Sequence, residues 1–315
     1  MIRTGIGGWV YPDWRKGNFY PDGLVQKREL EYASRQLGAI EINGTYHSLQ
    51  KPESFRKWRD ATPDGFVFAV KGSSYITNRK VLAGAGESMV KFFAQGLDEL
   101  GDRLGPILWQ LMGTKKFDAE DIAAFFALLP RELNGRPLRY AIEVGHESFA
   151  CPQFVDIARK ANVAIVWCEQ ESRTPIADRT ADFAYLRCKQ SVADQPTGYP
   201  PEGIERIAGL CRAWAKGEAP AGLPYAGDRA DSQSKGGDEV RPHAVLEDLV
   251  AFGVFAVPGQ QPGVFDRRHP RAGAQRPPVI RFSLVEIGRH SGSARVVRSD
   301  HLHGPDRAGF GCLAA

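Results

Sequence analysis

The chain has 315 residues and a formal net charge of +4, enough length for one large domain or two ordinary ones. The charge is too mild to argue by itself for a nucleic acid or an anionic surface, and no apolar run approaches the ~18 residues of a membrane helix. A hydrophobic fraction of 43% supplies a sizeable core, and five cysteines without a CxxC pair fit reduced thiols better than a disulfide framework. Met1 runs into a strand-like segment without a basic, then apolar, leader. The expectation is a cytoplasmic protein with no membrane association.

Short β-rich runs alternate with longer amphipathic ones. The first strand is expected over Ile2–Gly7, and a helix over Lys27–Leu37 with Leu30, Ala33, Ser34 and Leu37 on one face. Ala39–Ile42 is the second strand. Pro52–Ala61 is a helix with proline in its first turn, where the missing N–H costs nothing. Phe66–Val70 is the third strand, apolar on both faces, and Ser88–Leu100 is helical. Pro106–Leu111 is the fourth strand. Asp118 caps a helix running to Leu129, with Glu120 and Asp121 in its first turn. Leu138–Val144 is strand five, Pro152–Ala161 a helix and Val163–Trp167 strand six. Phe183–Arg187 is strand seven and Gly203–Ala215 its helix.

This alternation predicts seven strand-helix units of a TIM-like (β/α) barrel over residues 1–216. Neither a GxGxxG after the first strand nor a P-loop is present, which weakens the dinucleotide and nucleoside-triphosphate readings.

Residues 217–237 are rich in Gly, Ala, Pro, Ser and Asp and read as a loop or linker. The composition of residues 238–315 is atypical. Every basic charge after Lys235 is arginine, and His243, His269, His290, His301 and His303 cluster there. The segment 244–257 suits a helix or a strand, but the eighth barrel strand is not recognisable. Two explanations compete: a poorly ordered extension, or a gene read out of frame from about the linker onward. The second is favoured, since GC-rich DNA read out of frame yields Arg, Gly, Pro and Ala. Sequencing the locus across the codons for Gly217 to Arg241 decides between them.

The opening run Gly5, Gly7, Gly8, Trp9, Tyr11, Pro12 and Trp14, then Phe19, Tyr20 and Pro21, resembles the YecE-like family, also called domain of unknown function 72. Further matches are Glu41 with Asn43, Thr45 and Tyr46; Pro52 to Phe55 with Trp58; and Phe66 to Lys71. Others are Leu104 to Leu111; Glu143 with His146, Ser148 and Phe149; and Thr180 to Arg187. The resemblance implies a TIM-like barrel and supplies no reaction. The chain departs from the pattern at Gly145, where the resemblance implies arginine, in the stretch after Arg187, and at the eighth strand.

In such barrels the active site lies at the C-terminal ends of the strands. The polar residues there are Trp9, Tyr11, Glu41, Asn43, Lys71, Gln110, Glu143, His146, Glu169 and Arg187. Glu41 and Glu143 could divide acid and base roles. Lys71 could neutralise one of them, bind an anion, or act as a nucleophile if burial lowers its pKa. His146 is a candidate acid-base group near neutral pH. Trp9, Tyr11, Asn43, Gln110 and Arg187 are the candidate substrate-binding residues. A purely structural alternative makes Glu41, Lys71 and Arg187 an ion-pair network that closes the barrel. The carboxylate pair would also accept a single Mg²⁺ or Mn²⁺ ion, whereas His47 and His146 are too few for a multi-zinc site.

Three functions fit this sequence. The first is an enzyme acting by acid-base chemistry on a polar small molecule such as a sugar or phosphorylated metabolite. The second is a nucleic-acid or nucleotide phosphate-binding protein using Lys71, Arg187 and the aromatic rim. The third is a non-catalytic relic barrel.

Overall fold

The computed structural model describes residues 1–227 apart from 18, 171, 192–194, 196–197 and 221, together with 248–253, 285–286 and 295–296. The barrel strands are β1 Ile2–Gly7, β2 Ala39–Ile42, β3 Val67–Lys71, β4 Leu104–Gln110 and β5 Tyr140–Glu143. Strand β6 comes in two pieces, Val163–Ile165 and Trp167–Glu169, interrupted at Val166. Strands β7 and β8 are Phe183–Cys188 and Asp248–Gly253.

All the barrel pairings are parallel, and they run β1–β2–β3–β4–β5–β6 through neighbours. The second piece of β6 pairs with β7, β7 with β8, and β8 with β1, so the ring closes. Closure therefore uses the segment 248–253, within the run expected to form a helix or strand but not recognised as the eighth barrel strand. Its pairing is with backbone on both sides, which composition does not announce. Residues 228–247 and the tail after Gly253, apart from 285–286 and 295–296, lie outside the described residues, and so do the five tail histidines. Residues 281–315 form a separate unit, described only by a short antiparallel pairing of Val285–Glu286 with Arg295–Val296.

The longer helices are α1 Glu29–Gln36, α2 Pro52–Asp60, α3 Gly86–Phe93, α4 Ala119–Ala127, α5 Pro152–Lys160 and α6 Pro201–Ala215. Leu30, Ala33, Ser34 and Leu37 are all buried, as their spacing predicts. The Asp118 side chain accepts the backbone N–H groups of Glu120 and Asp121, a true N-cap. The helix expected over Ser88–Leu100 ends at Phe93, and a 3-10 segment, Leu97–Arg103, leads into β4. Between β6 and β7 there is no helix among the described residues. Thr180 ties that connection down instead: its Oγ1 accepts the Ile165 N–H and donates to the Val163 carbonyl. No helix among the described residues is long and apolar enough to cross a membrane.

Strand alternation sends every second side chain into the barrel. Ala39, Val67, Ala69, Leu108, Ala141, Ala164, Val166, Cys168, Phe183 and Tyr185 form one buried cluster there. The large rings of β7 share this cluster mostly with small residues of β2, β3, β5 and β6.

Asp178, in the loop before β7, accepts the N–H groups of Ala226 and Gly227 at 2.6 and 2.9 Å. A Cβ on Gly227 would stand 2.6 Å from Asp178 Oδ1, so the approach requires glycine. Asp178→Ala leaves two donors unmatched and is expected to cost about 1–3 kcal/mol. The urea midpoint measures it, and an unchanged midpoint would show that this tie carries no stability.

Candidate active site

The alternation that fills the barrel also builds its mouth. One pleat beyond Ala39, Ala69, Leu108, Ala141 and Tyr185 come Glu41, Lys71, Gln110, Glu143 and Arg187, all at the C-terminal ends of their strands. Glu41 and Glu143 are completely buried and Arg187 nearly so.

Arg187 stands between the two carboxylates. Its Nη2 donates to Glu41 Oε1 at 2.9 Å and its Nη1 to Glu143 Oε2 at 2.5 Å. The second oxygen of Glu41 accepts the Tyr185 hydroxyl at 2.8 Å. The second oxygen of Glu143 accepts Gln110 Nε2 at 2.9 Å and Lys189 Nζ at 3.2 Å, with Arg173 Nε at 3.4 Å. Buried charges persist only when matched this way.

These contacts set the proton affinities. Burial pushes the Glu143 carboxyl up, but Arg187, Lys189 and Arg173 outweigh it and hold the group at about 2. Burial works against the charge of Arg187, and the two carboxylates more than restore it. Lys71 is different. Burial and the Arg187 charge lower its ammonium to about 8, against weaker pulls upward from Glu41 and Glu143. Its ammonium makes no ion pair among the described residues; it lies over the Tyr46 ring, 4.5 Å from the centroid. In place of the structural alternative of a Glu41–Lys71–Arg187 network there is a Glu41–Arg187–Glu143 network, with no ion pair to Lys71 among the described residues.

Tyr11 reaches the same place. Its hydroxyl donates to the Gly7 carbonyl, and its pKa is raised by burial and by the Glu41 charge. The Asn43 amide lies above Gly7, where a Cβ would meet Nδ2 at 3.2 Å and Glu41 Oε1 at 3.8 Å. Trp9 packs edge-on against Trp58 and tilted on Phe68, and its carbonyl accepts the Tyr20 hydroxyl. Trp14, Phe19 and Tyr20 are buried, so this part of the aromatic rim is packing.

His146 is committed locally. Its Nδ1 accepts the Ser148 N–H at 3.1 Å, capping a 3-10 turn over Glu147–Phe149. No described contact joins its ring to Glu41, Lys71 or Arg187. His47 is exposed at the end of the short helix Gly44–His47. Glu169 points away from the barrel interior, accepting Tyr199 Oη at 2.8 Å and pairing with Arg206 of α6. Cys168 and Cys188 are buried packing thiols; burial pushes Cys168 up to about 11 and Cys188 higher.

Glu41 and Glu143 do not fit an Mg²⁺ or Mn²⁺ ion, because a guanidinium occupies the position between them. No group of three or more His, Cys, Asp or Glu among the described residues could hold a metal.

Tyr185, Arg173 and Lys189 were not anticipated as parts of the site. Alternation from Arg187 points to Tyr185. Arg173 and Lys189 sit on loops without periodicity. A Cβ on Gly145 would meet Gly113 Cα at 2.7 Å and Arg173 Nη1 at 3.0 Å. Where the resemblance implies arginine, this chain has a glycine with the Arg173 side chain lying against it.

A family model described as "Protein of unknown function DUF72" matches residues 3–225. The chain belongs to this family. The DUF72 match takes in every site residue above and ends before β8. UPF0759 protein YecE of Escherichia coli K12 is 29% identical over 152 residues, which is 47% of this chain and 50% of that protein. UPF0759 protein YunF of Bacillus subtilis is 26% identical over 80 residues, 25% of this chain and 27% of that protein. The matched segment thus spans half or less of these relatives. A solved DUF72 protein from Thermotoga maritima superposes with a TM-score of 0.60 at 20% identity, covering 82% of this chain and 94% of that one. One from Enterococcus faecalis gives 0.57 at 15%, covering 81% and 89%. These likenesses establish the fold, a TIM-like barrel of the DUF72 kind.

Proposed function

We propose that this DUF72 barrel is an enzyme that binds a small polar metabolite bearing a phosphate or carboxylate and moves protons on it with Lys71. The observation carrying this reading is the charge balance of the mouth. Among the described residues, Lys71, Arg173, Arg187 and Lys189 face only Glu41 and Glu143. Two positive charges are left over in a largely buried cleft, which favours an anionic ligand.

The same balance divides the labour. Glu143, held at about 2, stays ionised near neutral pH and serves as the anchor for Arg187, Lys189 and Gln110. Lys71, at about 8, exchanges a proton close to physiological pH, the property a general base needs. Arg173 and Lys189, both already reaching Glu143, are the side chains that meet the anionic group in this reading. Trp9, Tyr11 and Asn43 line the β1–β2 side and orient the rest of the ligand.

A thermal-shift panel pairing sugars with their phosphates tests this. Phosphorylated members should raise the melting temperature and unphosphorylated ones should not. The double variant Arg173→Gln/Lys189→Gln should weaken the response at least about tenfold in concentration, since charge-assisted contacts of this kind contribute about 1.5–3 kcal/mol. Equal responses to neutral sugars, or an unaffected double variant, would remove the reading. Including a mixed oligonucleotide separates the other class: tight, steeply salt-dependent binding there would move the assignment to nucleic acid.

A further inference from the structure

We infer that Lys71 is a covalent residue: its amine forms an imine with the carbonyl group of a ligand that also carries a phosphate or carboxylate. The inference rests on the anion-binding reading above and adds the reactive group of the substrate. It starts from an anomaly. Lys71 stands at the inner end of β3, beside a site with two fully buried carboxylates, and pairs with neither among the described residues. Both carboxylates are already satisfied by Arg187, Tyr185, Gln110 and Lys189. A lysine kept only for structure would take one of those places; this one is held beside them, against a ring face 4.5 Å away.

The surroundings suit an amine nucleophile. Desolvation and the adjacent Arg187 cation favour the uncharged amine, the usual way a lysine is activated towards carbonyls. Its four-carbon stem lets Nζ advance from the Tyr46 face into the mouth. Arg173 and Lys189 lie on the loops after β6 and β7, and both side chains reach Glu143. A ligand whose anionic end rests on them presents its other end towards Lys71.

The step balances without a co-reactant. The neutral amine adds through its lone pair to the carbonyl carbon, and a proton moves from nitrogen to oxygen to give a carbinolamine. Protonation of that hydroxyl by solvent water releases it as water, and the nitrogen lone pair closes the C=N bond. The product is a protonated imine; amine, carbonyl compound and one proton become iminium and water. Nothing is oxidised or reduced. The iminium then withdraws electrons from the neighbouring carbon, so that loss of a proton or a carbon substituent there becomes accessible.

Reductive trapping on the full chain tests this. The protein is incubated near pH 7.5 with pyruvate, or with dihydroxyacetone phosphate, then treated with borohydride, and the modified peptide is identified by mass spectrometry. The expected result is one adduct per chain at Lys71, formed at least about tenfold faster than at the exposed Lys91. It should be suppressed by excess inorganic phosphate and absent from Lys71→Met. Melting temperatures recorded on the same mixtures separate the two claims. A ligand that shifts the melting temperature while borohydride leaves Lys71 unmodified overturns the imine and leaves anion binding standing. No shift and no adduct from either probe overturns both. Labelling spread evenly over surface lysines overturns the imine as well.

Discussion

Arg187→Met is expected to lower the unfolding free energy by about 3–5 kcal/mol at pH 7.5, the usual cost of removing one partner of a buried ion pair. The substitution keeps most of the volume and removes the guanidinium that bridges the two buried carboxylates. Without it Glu41 and Glu143 repel each other, and one of them takes up a proton to stay in the fold. That reverses the pH response. In the native protein the folded Glu143 pKa lies below its unfolded value. The stability it contributes is present above about 4.3 and is lost as pH falls through about 2. In the variant one carboxyl has a folded pKa above its unfolded value, so stability increases as pH is lowered from neutrality. Urea midpoints at pH 7.5 and 5.5 check both parts. The triple variant Glu41→Gln/Arg187→Met/Glu143→Gln should regain part of the loss: no buried carboxylate is left without its guanidinium, while Lys189 and Arg173 lose their Glu143 partner. A single variant within about 1 kcal/mol of the parent and insensitive to pH would mean that the Glu41–Arg187–Glu143 bridge does not support the barrel.

Lys71→Met should act in the opposite direction, stabilising the fold while abolishing the chemistry. The folded ammonium, at about 8, binds its proton more weakly than the unfolded one, at about 10.4. Below pH 8 this difference is a constant penalty, which partial solvent exposure reduces to the order of 1–3 kcal/mol. Between about 8 and 10.4 the unfolded chain binds more protons, native stability climbs with pH, and the advantage of the variant disappears. Midpoints at pH 7 and 10, read beside ligand-induced shifts and borohydride trapping, distinguish this from a structural lysine. A Lys71→Met protein less stable at pH 7 would place the residue in the framework instead. Stability given up at a reactive position is a familiar trade in enzymes.

Much of this was legible in the chain. Strands β1 to β5 and β7 follow from short apolar runs between turn signals, and the Asp118 cap from a carboxylate ahead of an amphipathic run. Glu41, Lys71, Gln110, Glu143 and Arg187 could be named because strand ends in a parallel barrel converge on one mouth. Their pairing could not be named, since several partner choices suit the same charges. Lys71 was grouped with Arg187 in a network, and only the geometry separates them. Arg173 and Lys189 escaped notice because loops carry no period. His146 looked like an acid-base group, but its Nδ1 is taken by a turn whose backbone angles leave no mark in composition. Strand β8 lies in the apolar run 244–257, whose pattern suits a helix as well as a strand and which follows a long linker, so it could not be recognised as the eighth barrel strand. It contributes backbone pairing to β1 and β7, which almost any residue can supply.

That last strand also defines a slot. Neighbouring strands lie roughly 4.8 Å apart, so β1 and β7 face each other across a gap one extended segment wide. A chain shortened ahead of Asp248 would leave two rows of backbone donors and acceptors uncovered at once, each a template for another polypeptide. Any piece of this protein made for biochemistry should therefore extend past Gly253. Otherwise self-association through that slot becomes the first property observed, ahead of any chemistry at the mouth.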